Sequence, residues 1–260
     1  MSKPIVAAQM YTCREFCKTP ADIVESLKKV ADIGYTAIQD SGMGTEEKMP
    51  AADLKKACDD QGLVVCATHI SFDDMRNDLQ RVIDNHLAMD CKYAGIGGAP
   101  ADARVDAASW SAFAKEASEV GLKLAEHGIR FIYHNHSAEF AKMDDGRTIM
   151  QILFEDSDPD GFFFEPDLYW VAHGGASPVA WLKKLAGRCD VIHLKDFAIK
   201  TDRTQFYTEI GEGNLDWPTI LSTLEDSGVK WMPVEQDTCP GNPFDSLAIS
   251  YRNLSSWGYK

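Results

Sequence analysis

Short apolar runs alternate with amphipathic stretches along the chain. Ile5 to Met10, Tyr35 to Gln39, Leu63 to Ile70 and Tyr93 to Gly97 read as buried strands. Between and after them come helices. Pro20 to Ile33 carries Ile23, Leu27, Val30 and Ile33 at helical spacing before Gly34 stops it, and Pro50 to Gln61 has proline at its start and Gly62 past its end. A stretch through Leu79, Val82, Ile83 and Leu87 follows the third strand, and Ala108 to His127, closed by Gly128, follows the fourth. The second half repeats the period: strands at Arg130 to His136, Phe162 to Asp167, Val191 to Asp196 and Trp231 to Gln236, with helices at Thr148 to Glu155, Pro178 to Leu185, Trp217 to Ser227 and Phe244 to Asn253. Eight strands alternating with eight helices predict an α/β fold, a single (β/α)8 TIM barrel spanning residues 1–260. The loops 138–147 and 197–216 are long and follow strands that end in polar residues, where a barrel places lids and specificity loops.

Composition adds little to the fold but narrows the function. The 260 residues match the roughly 250 of one such barrel. Net charge is 26 − 40 = −14 with histidines neutral, a field that repels phosphate backbones and anionic membranes, so neither nucleic acid nor membrane is expected as a partner. No apolar run approaches the about 18 residues of a membrane span. Met1-Ser2-Lys3-Pro4 leads into a strand without a signal-peptide core, so the expected location is the cytoplasm. Seven cysteines without close paired spacing fit reduced thiols. The sequence leaves a homo-oligomer open. Gly95-Ile96-Gly97-Gly98 lacks the lysine pattern of a phosphate cradle and reads as a tight corner.

Chemistry concentrates at strand ends. Gln9, His69, His134, His136, Asp167, His193, Lys195 and Glu235 all fall there, with Glu139 just past the fifth strand. Carboxylates and a histidine converging on one spot repel unless a cation sits between them. A mixed oxygen and nitrogen set suits one divalent ion: Mn²⁺, Co²⁺, Mg²⁺ or Zn²⁺.

Five motifs then resemble the sugar phosphate isomerase/epimerase group of the xylose-isomerase-like barrels. They are Gln9-Met10-Tyr11-Thr12-Cys13-Arg14, Tyr133-His134-Asn135-His136 with Glu139-Phe140, Asp167-Leu168-Tyr169-Trp170 with Gly174-Gly175, His193-Leu194-Lys195-Asp196 and Glu235-Gln236-Asp237. The resemblance implies one divalent metal chelating vicinal oxygens of a sugar or inositol derivative, with Asp167, His193 and Glu235 as ligands. Where many relatives have a glutamate on the fifth strand this chain has His134. Glu139 folding back is the preferred fourth ligand, with His134 the alternative. The implied activity is a metal-dependent sugar isomerase or epimerase that removes a proton next to a carbonyl and passes through an enediolate. A dehydratase or lyase acting on a keto-sugar or inosose is the alternative, with a non-catalytic sugar-binding barrel behind it. Expected roles are Glu235 or Glu139 as base, His136 and His69 moving protons or contacting hydroxyls, and Lys195 holding a substrate oxygen. Gln9, His134 and Trp170 are expected at the substrate.

Overall fold

The computed structural model describes residues 3–260, with 45 and 46 by backbone alone; Met1 and Ser2 of the opening segment lie outside the described residues. The strands are β1 (Ile5–Gln9), β2 (Ala37–Asp40), β3 (Val64–His69), β4 (Tyr93–Ile96), β5 (Arg130–His134), β6 (Phe163–Glu165), β7 (Asp196–Ile199), β8 (Gln205–Thr208) and β9 (Trp231–Val234). Seven of them form one parallel sheet in the order β6-β5-β4-β3-β2-β1-β9. Its interior strands carry near-continuous apolar residues, as a sheet covered on both faces requires. Phe131, Tyr133, Phe162 and Phe164 are fully buried there, each worth about 1.5–3 kcal/mol of apolar transfer.

The expected seventh strand is not a regular strand. Residues 190–195 run between the two edges of the sheet and make isolated parallel rungs to both, pairing His193 with Asp167 on one side and Val191 and Leu194 with Trp231 and Val234 on the other. One segment therefore meets β6 and β9, so the sheet curls. Two prolines interrupt its ladders. Ile192 N donates to Trp231 O and Leu194 N to Pro233 O, and the rung between them would need an N–H from Pro233, which has none. Pro166 does the same on the other side, where its carbonyl accepts from His193 N but it has no donor of its own.

The helices fall close to their expected places. Pro20–Ile33 is observed as read, with Thr19 as N-cap in a capping box with Asp22. Gly34 ends it at φ 121, where a Cβ would sit 2.6 Å from the Tyr251 ring. The others observed are Ala51–Asp60, Leu79–Met89, Ala107–Ala125, Ile149–Asp156, Pro178–Lys184, Trp217–Ser227 and Pro243–Ser256. The short helices Thr45–Lys48, Phe72–Asn77 and Leu168–His173 add to the eight-helix reading.

The loop 197–216 is not plain loop. It holds an antiparallel hairpin of β7 and β8, with Asp196 opposite Thr208. Asp196 anchors the segment beyond the hairpin: Oδ2 accepts from Gly211 N (3.0 Å), Gly213 N (3.2 Å) and Trp217 Nε1 (2.6 Å). A Cβ on Gly213 would lie 2.3 Å from Asp196 Oδ1, so glycine is what lets the backbone close on the carboxylate. The 138–147 loop opens with a tight turn at Ser137–Phe140. All seven cysteines are free, and no helix among the described residues is long and apolar enough to cross a membrane.

Candidate metal centre

Strand polarity places the polar ends together. His69 and His134 close β3 and β5, Glu165 closes β6, Asp167 comes two residues later, and Glu235 comes directly after β9. Gln39 lies in β2, and His193 and Lys195 alternate along the 190–195 segment. All but His69 are buried, with His193, Glu165 and Asp167 fully so.

His193 is the hub. Its Nδ1 lies 3.0 Å from Glu235 Oε2 and 3.9 Å from Asp167 Oδ2, while Nε2 lies 2.6 Å from Gln39 Oε1 and 3.4 Å from Glu165 Oε1. The amide of Gln39 has only one workable orientation. A carboxylate accepts and cannot donate, so Gln39 must turn Nε2 to Glu165 Oε1 (2.8 Å) and Oε1 to His193. His193 Nε2 is therefore the N–H nitrogen, and Nδ1 is the one free to hold a cation between Asp167 and Glu235.

Two donor groups result among the described residues, His134–Asp167–His193–Glu235 and His69–His134–Glu165–His193, with ligand atoms in each within 4.8 Å of one another. Either is able to coordinate a single divalent ion. Two buried atoms of the first group, His134 Nδ1 and Asp167 Oδ2, have no hydrogen-bond partner. Asp167 Oδ2 does lie 3.1 Å from Lys195 Nζ, close enough for an ion pair but without hydrogen-bond alignment. Unpartnered buried polar atoms are costly in a folded protein, and an ion among these donors removes the cost. The residues present fit a metal.

The electrostatics agree. Burial alone would lower the His193 pKa, but the Glu165 and Glu235 carboxylates outweigh it and raise it to about 10. Burial works against Glu165 too, yet His193 and His69 bring it down to about 2. Burial likewise opposes Glu235, but Lys195 and His193 hold its carboxyl well below the usual range. Burial raises Asp167 to about 6 and lowers His134 and His136, leaving both imidazoles neutral near pH 7. Because a metal needs the lone pair that the proton on His193 occupies, loading the ion near pH 7.5 should release about one proton. Apparent affinity should then rise about tenfold per pH unit below the His193 pKa, and more steeply below the Asp167 pKa. Titration calorimetry in two buffers of different ionisation enthalpy measures the proton count, and a count of zero would contradict this ligand assignment.

Not every expected site residue joins the cluster. Glu139 does not fold back: Tyr133 Oη donates to its Oε1 (2.6 Å) and His136 N to its Oε2 (2.9 Å), so both oxygens serve the turn after β5. Gln9 Oε1 accepts from Tyr11 N (3.0 Å), and its Nε2 is buried without a partner. Lys195 Nζ meets Asp167 (3.1 Å), Glu235 (2.8 Å) and Asp237 (3.0 Å). Three carboxylates thus surround one ammonium, so Lys195 balances charge in the cluster. His69 Nε2 is bound to the Glu165 carboxylate and Nδ1 sits 3.4 Å from Ser41 Oγ. The ring of Trp170 lies 5.3 Å from Lys195 Nζ and 5.3 Å from the ring of His136.

Gln39 and Glu165 were absent from the expected set. For Glu165 a signal existed, because residues 165 and 167 share one face of an extended strand. A cleft of ≈ 290 Å³ opens over the cluster, lined by His69, His134, His136, Glu235 and Asp237 among others. A separate ≈ 540 Å³ hollow between the helices Pro178–Lys184 and Trp217–Ser227 holds none of these groups.

A parallel sheet whose strand ends gather such a cluster matches the xylose isomerase-like TIM barrel family over residues 27–248, and the chain belongs to that family. Among particular relatives, it is 24% identical over 169 residues to the rhizopine catabolism protein MocC of Rhizobium meliloti, covering 58% of this chain and 51% of that one. It is 25% identical over 153 residues to an inosose dehydratase of Clostridium beijerinckii, covering 52% and 50%. The chain thus spans about half the length of the curated relatives it matches. A solved structure described as a sugar phosphate isomerase/epimerase from Parabacteroides distasonis superposes with a TM-score of 0.81 at 22% identity, covering 99% and 96%; that likeness is one of fold.

Proposed function

We propose that the protein is a divalent-metal-dependent lyase that dehydrates an inosose or a related keto-sugar. The observation that carries this is the buried His134–Asp167–His193–Glu235 quartet, two of its atoms unpartnered, beneath a cleft that two further histidines line. The relatives named inosose dehydratase favour elimination over the isomerase or epimerase outcome expected from the motifs, which shares the same first step. An ion held by the quartet supplies a Lewis acid that makes the C–H next to a chelated carbonyl acidic.

The chain's own residues do the rest. Glu235 is too strongly held by Lys195 and His193 to be a good base, whereas His136 is neutral and lines the cleft. His136 takes the proton from carbon. His136 then passes that proton to the hydroxyl departing from the neighbouring carbon, while His69, fixed through Nε2 by Glu165, contacts the substrate's hydroxyls. The C–H and C–O bonds break, a C=C bond forms and water leaves. In D2O with an inosose, the metal-loaded enzyme should release a product lighter by one water. His136→Ala should lower kcat by about 10²–10⁴-fold at unchanged metal content. A product that keeps all its oxygens and is one mass unit heavier, with deuterium on the carbon next to the carbonyl, would instead mark the isomerase or epimerase outcome; unaltered turnover in the variant would remove His136 as the base.

A further inference from the structure

A second concavity, ≈ 700 Å³ and more than twice the volume over the cluster, opens between the Leu168–His173 helix and the β7–β8 hairpin. Four aromatic rings wall it: Tyr169, Trp170, Phe206 and Tyr207. It adjoins the candidate active site directly. Trp170, whose ring faces Lys195 and His136, belongs to its lining, and the opposite wall begins at Thr238, next in the chain to the Lys195 partner Asp237.

The wall is braced. The Tyr169 ring lies 5.0 Å from that of Tyr207 and 5.3 Å from that of Phe197, so helix and hairpin hold each other in place. Phe206, by contrast, is 39% exposed, an apolar ring left to solvent on a hairpin that the alternating strand-helix pattern does not require. Trp170 Nε1 and Thr208 Oγ1 are buried in the same walls without hydrogen-bond partners. A cleft of this size, with four aromatic rings set among polar groups such as Lys200, Gln205 and Glu209, suits a ring-shaped ligand, since the apolar face of a sugar or an aromatic ring packs on aromatic side chains.

We propose that the substrate carries, besides the polyhydroxy ring handled at the donor cluster, a second ring that lies in this aromatic cleft. A glycoside of a keto-sugar, or an inosose bearing an aromatic substituent, fits that description; a single ring such as a free inosose would be handled at the donor cluster alone and leave the aromatic cleft unfilled. The placement of the first ring rests on the metal-dependent reading above.

The test uses the Mn²⁺-loaded full chain with phenyl and methyl β-D-glucopyranoside as probes, binding measured by titration calorimetry. Phenyl glucoside should bind about tenfold more tightly than methyl glucoside. Phe206→Ala removes an exposed ring and leaves the fold intact, so it should cut the phenyl preference severalfold without changing methyl glucoside or Mn²⁺ affinity. Equal binding of the two glucosides, no binding of either, or an undiminished preference in Phe206→Ala would overturn the inference. Mn²⁺ affinity measured without sugar keeps the two ideas apart. If Mn²⁺ binds and the phenyl preference is absent, the cleft assignment alone fails; if Mn²⁺ does not bind, the metal reading fails as well.

Discussion

Replacing His193 by alanine should lower divalent-metal affinity by at least about 100-fold, a larger loss than the 10- to 100-fold typical of removing an outer partner. It should also destabilise the metal-free protein by about 3–5 kcal/mol, the cost of breaking a buried ion pair. Both effects come from one geometry. Nδ1 faces Glu235 and Asp167 on the metal side, and Nε2 faces Gln39 and Glu165 on the other. Alanine removes a ligand and leaves the Glu165 carboxylate without one of the two histidines that bring its pKa down to about 2. Metal content by plasma mass spectrometry and unfolding in urea measure the two effects separately. Full metal occupancy in the variant would place the ion elsewhere.

The second large effect separates two residues that the sequence ranked the other way, Glu139 ahead of His134. His134→Gln should weaken metal binding by about 100-fold and Glu139→Gln by less than about tenfold. His134 belongs to both donor groups and its buried Nδ1 has no hydrogen-bond partner. Glu139 already spends one oxygen on Tyr133 and the other on the His136 backbone, so a glutamine there loosens the turn without touching the cluster. Calorimetry of Mn²⁺ binding to both variants decides it, and the opposite order would restore Glu139 as the ligand.

That reversal shows where sequence reading stops. Period and punctuation located the regular helices and the seven strands of the parallel sheet, because burial on a repeating face leaves a mark at each residue. They also put His69, His134, Asp167, His193 and Glu235 at strand ends, and those five are in the two donor groups. Whether Glu139 turns back depends on what else its carboxylate can reach, and the hydroxyl of Tyr133 is a tertiary neighbour that no spacing announces. Gln39 was invisible for the same reason, its role being defined by His193 and Glu165, each more than a hundred residues away.

The irregular 190–195 segment has a subtler cause. Pro166 and Pro233 are plain in the sequence, but a proline breaks a ladder only if its missing N–H faces the neighbouring strand, and that is set by register. The β7–β8 hairpin was hidden because its turn lacks the usual glycine or asparagine; Arg203 takes the left-handed position, at φ 72. Such a conformation is uncommon for arginine, so no local rule points to it.

The central claim is that one divalent ion sits among His134, Asp167, His193 and Glu235, with His193 binding through Nδ1. Crystals grown with Mn²⁺ and measured at the manganese absorption edge test this most directly. The account expects a single anomalous peak about 2.0–2.6 Å from His193 Nδ1 and from carboxylate oxygens of Asp167 and Glu235, with Gln39 still bonded to Nε2. A peak on the Nε2 side, coordinated by Glu165 and His69, or no peak among these residues, would contradict it.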